Sequence, residues 1–222
     1  MLIEAGLLSG GVAVMGSALG GVGLAYAVHG APWRAWLADR ERQWVWFASM
    51  CVLLVVWSMK AGITPGLSVR FLLVTALTLM HGWHLAVVAS ALVLAVLTWI
   101  GGAEWVNFLT NLLCTALVPA LLTARLHELV HDRLPRNYFV YFFVTGFFGA
   151  ALAFNVAGLT RVALMALSGT LETARVGAEY FAILPLMSFG EAVANGMVLG
   201  MAVVYRSGWV MSFDDRLYLG QR

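Results

Sequence analysis

The chain alternates long apolar runs with short polar breaks, and the lengths of the runs set the class. A bilayer core takes about 20 apolar residues per helix, and runs of that order recur along all 222 residues. They predict spans over roughly 5–28, 44–60, 67–81, 84–100, 105–125, 137–160 and 180–205, the sixth open to extension. The third and fourth are parted only by His81-Gly82-Trp83-His84, where the glycine permits a tight turn. The expected fold class is all-α: a polytopic membrane bundle of about seven transmembrane helices, forming a single transmembrane domain over 1–222.

Composition supports this. The sequence is 62% hydrophobic and 11% charged, where a soluble domain is about a quarter charged. Nine tryptophans suit a protein with two membrane interfaces. A net charge of +2 without a basic run gives no footprint for nucleic acid; lipid is the partner the composition implies. The first apolar segment lacks a basic leader region and an obvious cleavage site, so it reads as a retained helix. Cys51 and Cys114 fall inside apolar runs and read as small core residues.

Charge also gives an orientation. With the N-terminus outside and seven crossings, Arg34, Arg40, Arg42, Arg125, Arg133, Arg136, Arg206, Arg216 and Arg222 lie in the cytoplasm. Lys60, Arg70, Arg161 and Arg175 lie outside, so nine of the 13 basic residues are internal, as the positive-inside rule asks. The C-terminal tail, 206–222, is then cytoplasmic. The stretch 31–43, with Pro32 at its start, reads as an interfacial cytoplasmic segment. Trp33, Trp36 and Leu37 face lipid there, and Arg34, Asp39 and Glu41 face water. In the first span Gly6/Gly10, Gly16/Gly20 and Ser17/Gly21 are small pairs four apart, which admit a close partner helix. The spacing leaves open whether that helix is internal or belongs to another subunit.

Two groups of polar residues carry candidate chemistry. His127-Glu128-Leu129-Val130-His131 matches H-E-x-x-H, two zinc ligands and a general base on one helix face. A catalytic zinc needs a third protein ligand and a water. No histidine follows His131, Pro135 ends the helix one turn on, and Glu172, Glu179, Glu191, Asp214 and Asp215 are the remaining acidic candidates. Glu172 and Glu179 fall on the opposite side in this topology. Histidines at a helix C-terminus are also favoured by the helix dipole alone. No catalytic residue is assigned, and the chain is not read as an enzyme. A transition metal held by His81, His84, His127 and His131 on the cytoplasmic side is the metal candidate.

The second group lies inside the membrane. Glu191 sits near the middle of the last span with Asn195 one turn on; Asn107 and Asn111 line the fifth, Asn155 the sixth, and Arg70 the outer end of the third. Ionisable groups at that depth are functional candidates by default. Glu191, Asn195, Arg70 and Asn111 are the substrate-binding candidates; the competing reading is a buried glutamate that locks the bundle.

The stretches GLSVRFLLVTALTLMHGWHLAVVASALVLAVL, LPRNYFVYFFVTGFFGAALA and LPLMSFGEAVANGMVLGMAVVYRSGWVMSFDDRLYL resemble bacterial inner-membrane energy-coupling factor permeases, distant relatives of CbiM-type cobalt/nickel uptake components. The resemblance covers about 65–215. It implies a substrate-capture subunit working with a transmembrane coupling subunit and ATPases. It also implies metal ligation by the N-terminal amine, a histidine next to it, and a histidine in a G-[TS]-x-x-H stretch after the second span. This chain has Leu2, and Arg70 where the second histidine would stand. Arginine carries a fixed charge and no lone pair for a cation. The leading reading is a substrate-binding transport component with the usual metal site degenerate. An accessory subunit of a larger membrane complex is the alternative, and a membrane zinc protease a more distant one.

Overall fold

A computed structural model describes residues 2, 3, 7–59, 61–64, 67–101, 104–169 and 173–218. Gly6, Lys60, Glu172 and Arg222, named above, lie outside them. The elements are α1 (Gly10–Gly30), α2 (Trp33–Ala38), α3 (Arg40–Ser58), the strands β1 (Ala61–Thr64) and β2 (Leu67–Val69), α4 (Val74–His81) and α5 (Trp83–Trp99). They continue with α6 (Trp105–Arg133), α7 (Tyr138–Leu167), α8 (Thr173–Arg206) and the short α9 (Asp215–Tyr218). The fold is helical apart from the antiparallel pair β1–β2, in which Ala61 faces Val69. Four helical stretches, among them α1, α6 and α7, are long and apolar enough to cross a membrane, and α5 is a shorter apolar helix.

The third predicted span is corrected. It is not a continuous helix over 67–81: β2 leads into an extended strap at 70–73, and helix begins only at Val74. Leu73 starts it in the left-handed region, at φ 52°, a conformation that costs an L-residue about 1–2 kcal/mol. Eight residues of α4 rise about 12 Å, far short of a membrane. Non-helical backbone at that depth survives only where protein satisfies its polar groups.

Two more boundaries move. The fifth span continues past 125 to Arg133, so His127 and His131 lie in its last turns. The sixth continues past 160 to Leu167, with Gly169 at φ +67° just beyond it, the usual glycine stop. Arg161, expected in an outer loop, is therefore a buried helix residue. Inside α6 a π-helical stretch, Leu113–Leu117, ends two residues before Pro119. Proline cannot donate to the carbonyl four residues back and crowds it; the wider turn accommodates it.

The small residues of α1 face the same chain. A Cβ at Gly20 would collide with the Leu109 carbonyl, and one at Gly16 would press on Thr110. Ser17 Oγ lies 3.3 Å from Thr110 Oγ1. The close partner left open by the spacing is α6. The main core joins α3, α4, α5 and α6 through Leu53, Leu77, Val87, Leu94 and Leu112. A second cluster gathers Leu79, Tyr141, Leu199, Phe213 and Tyr218 where the chain returns after α8.

Candidate functional site

The strap and α4 are held from outside themselves. Glu191 on α8 accepts the Leu72 N–H on Oε2 and the Leu73 N–H on Oε1, both at 2.7 Å. Asn195, one turn on, accepts the Ala76 N–H at 2.8 Å and donates to Glu191 Oε1 at 2.7 Å. The Leu73 and Ala76 N–H groups are among the donors a helix start leaves orphaned, the Leu72 N–H belongs to the strap, and α4 has no side-chain cap of its own. The other end is closed likewise. The Leu79 carbonyl accepts the Ser212 N–H at 3.1 Å and Ser212 Oγ at 2.8 Å, and the Met80 carbonyl accepts the Met211 N–H at 3.1 Å. Ser212 Oγ also lies 2.7 Å from the Tyr141 hydroxyl. Gly82, at φ +80°, then turns the chain into α5.

Arg70 belongs to the strap. It is buried, and one Nη donates to the Trp57 carbonyl at 2.6 Å while Trp57 Nε1 donates to the Leu72 carbonyl at 3.1 Å. Its Nε is buried with no hydrogen-bond acceptor among the described residues. Buried donors normally find partners, so this atom is a chemical signal. Arg161 of α7, equally buried, lies within electrostatic reach of both Arg70 and Cys114.

Asn111 serves a neighbouring region. Ile3 is buried; its N–H donates to Asn111 Oδ1 at 2.7 Å, and its carbonyl accepts from Asn111 at 3.2 Å and from Asn107 at 3.4 Å. The start of the chain is thus tied into the bundle beside Cys114 and Leu164. Of the four substrate candidates, Glu191 and Asn195 meet at the strap that carries Arg70, and Asn111 holds the N-terminal segment. Asn155 is occupied by Ser188 at 3.0 Å. Sequence reasoning missed Arg161 as a site residue because its span was ended at 160; the apolar stretch that resumes at Val162 and runs to Leu167 with no Gly or Pro was the available signal.

The four histidines do not converge. His81 Nε2 lies 3.0 Å from Ser49 Oγ. His84 stacks on Trp83 with ring centroids 3.7 Å apart. His127 and His131 have centroids 6.1 Å apart, and His131 Nδ1 lies 3.3 Å from the Tyr218 hydroxyl. Glu128 pairs at 3.1 Å with Arg125 on an exposed face. No group of three His, Cys, Asp or Glu among the described residues is placed to hold a metal ion.

The described residues form a helical bundle with membrane-length apolar helices, a broken span, an anchored N-terminal segment and buried charge. The family model for CbiM, described as the cobalt uptake substrate-specific transmembrane region, matches residues 3–209, and the chain belongs to that family. No curated protein and no solved structure matches it.

Proposed function

We propose that the chain is the substrate-specific membrane subunit of an energy-coupled uptake system in a bacterial inner membrane, with a cargo that is anionic or chelated and not a bare divalent cation. The observation that carries this is Arg70: buried, with an unsatisfied Nε, where the resemblance puts a histidine ligand. Arg161 adds a second guanidinium within electrostatic reach. Two fixed cations repel a free Co²⁺ or Ni²⁺ and attract an anion. Asn111 and Asn107 grip Ile3, and Glu191 and Asn195 clamp the strap that carries Arg70.

Counting the strap with α4 as one crossing, α1, α3, strap–α4, α5, α6, α7 and α8 make seven. Arg70 and Arg161 are buried and so weigh less in the charge count on the outer side, which supports the orientation with the N-terminus outside. The segment 31–43 and the tail 206–222 then lie at the cytoplasmic face, and the strap opens toward the outside, as uptake requires. A coupling subunit and ATPases supply the drive; His131 anchors the returning tail through Tyr218, and His127 packs edge-on against Tyr141.

The experiment is uptake into cells carrying the complete transporter, comparing free ⁵⁷Co²⁺ with its anionic citrate chelate. Saturable uptake of the chelate that falls in Arg70→Met supports the reading. Saturable uptake of the free ion, untouched by that substitution, overturns it.

A further inference from the structure

At the end of the bundle where α3 starts and α8 finishes, a polar cleft of about 520 Å³ opens beside an apolar groove of about 780 Å³. Val45, Met80, Tyr205 and Trp209 line both, so the two share a wall. Each volume is of the size that holds a small ligand, about 300–1,000 Å³.

The cleft carries charges of both signs. Arg42 pairs with Asp39 at 3.1 Å and Arg206 with Glu41 at 3.1 Å. Trp209 Nε1 donates to Glu41 at 2.9 Å. All four charged side chains are about half exposed, so these pairs are weak and open readily to a competing ligand. Asp215 also lines the cleft; three carboxylates against two guanidiniums disfavour a ligand of net negative charge.

The groove is different. It runs from Trp44 inward past Ala48, Val52 and Leu77. Of its two hydroxyl side chains, Ser49 is already bonded to the Val45 carbonyl and to His81, and Tyr205 lies on the wall shared with the cleft. Polarity therefore changes once along the composite site, from zwitterionic at the helix ends to apolar toward mid-membrane, with tryptophans at the boundary as at a membrane interface. A docked helix would match the groove and leave the cleft's charges unmatched. A water-soluble solute would match the cleft and leave the groove empty.

We propose that this composite site binds one phospholipid with a zwitterionic phosphoethanolamine headgroup. The phosphate meets Arg42 and Arg206, the ammonium meets Glu41 and Asp39, and an acyl chain lies in the groove between α3, α4 and α8. The lipid bears on α4 through Leu73, Ala76, Leu77 and Met80, which line the groove; Leu73 and Ala76 are the residues whose N–H groups Glu191 and Asn195 hold.

The test is lipid retention. Protein stripped in a delipidating detergent is returned to nanodiscs holding equal phosphatidylethanolamine and phosphatidylglycerol, re-extracted gently, and weighed by native mass spectrometry. The wild type is expected to keep about one phosphatidylethanolamine per chain. The double variant Arg42→Ala/Arg206→Ala, and separately Ala48→Trp on the exposed groove wall, are expected to lower retention by about tenfold or more. Should Ala48→Trp not fold, Val52→Phe narrows the same wall. Equal retention of phosphatidylglycerol, or unchanged retention in the headgroup and groove variants, overturns the proposal. So does a photocrosslinker at position 52 that captures only another subunit's helix in the assembled transporter.

Discussion

Asn195 Oδ1 accepts the backbone N–H of Ala76 at 2.8 Å, so the last long helix caps the start of α4 from across the bundle, 119 residues away in sequence. With Glu191 beside it, a helix of eight residues and an extended strap become tenable inside the membrane. Removing the carboxylate strands two buried N–H groups, each costing about 1–3 kcal/mol. Glu191→Ala is expected to lose several kcal/mol of stability and much of its folded yield. Glu191→Gln, which keeps one acceptor oxygen, should fall between it and the wild type. Tryptophan-fluorescence melting of the purified protein ranks the three; Glu191→Ala melting with the wild type would remove the clamp from the account.

Arg70 behaves oppositely if it serves cargo. A buried charge with an unsatisfied donor is a liability to the fold, and an apolar replacement of similar length is often neutral or stabilising. Arg70→Met is expected to melt at or above the wild-type temperature while chelate uptake falls. Loss of stability and transport together would make Arg70 a structural residue.

The packing of α1 provides an internal control. Gly20 meets the Leu109 carbonyl, whereas nothing lies within 4 Å of a Cβ at Gly10. Gly20→Ala must move backbone and is expected to cost about 1–3 kcal/mol. Gly10→Ala should be neutral or slightly favourable. Equal melting temperatures for the pair would contradict an internal α1–α6 contact.

At the opposite end of α4, Ser212→Ala removes the hydroxyl from both the Leu79 carbonyl and Tyr141. The expected cost is about 1–2 kcal/mol, with faster amide exchange over 79–82. Glu128→Gln breaks only an exposed pair with Arg125 and should leave stability and uptake unchanged; a peptidase activity lost on that substitution, in protein carrying about one zinc, would revive the protease reading.

How much of this was legible in the sequence varied with the range of the interaction. Apolar run length located α3, α5, α6 and α8 because span length is local. The strap escaped it: LSVRFLLV is as apolar as a helix, and its conformation is set by Glu191 and Asn195, about 120 residues on. Glu191 was recognisable as expensive at its depth, but not which N–H groups it would meet. Arg161 was hidden by a span ended too early, though no breaker stands between Gly158 and Gly169. The small residues of α1 announced a close contact, and only coordinates could choose α6. The histidines were grouped by membrane side, and side-of-membrane is too coarse to bring ligands within reach of one ion.

The central claim is that the capture site selects an anion or a chelate. Isothermal titration of the purified protein in nanodiscs with free Co²⁺, free Ni²⁺ and cobalt citrate tests it most directly. The account predicts saturable one-to-one binding of the chelate, weakened by Arg70→Met, and no saturable heat with the free ions. Tight one-to-one binding of free Co²⁺ that Arg70→Met leaves unchanged would contradict it.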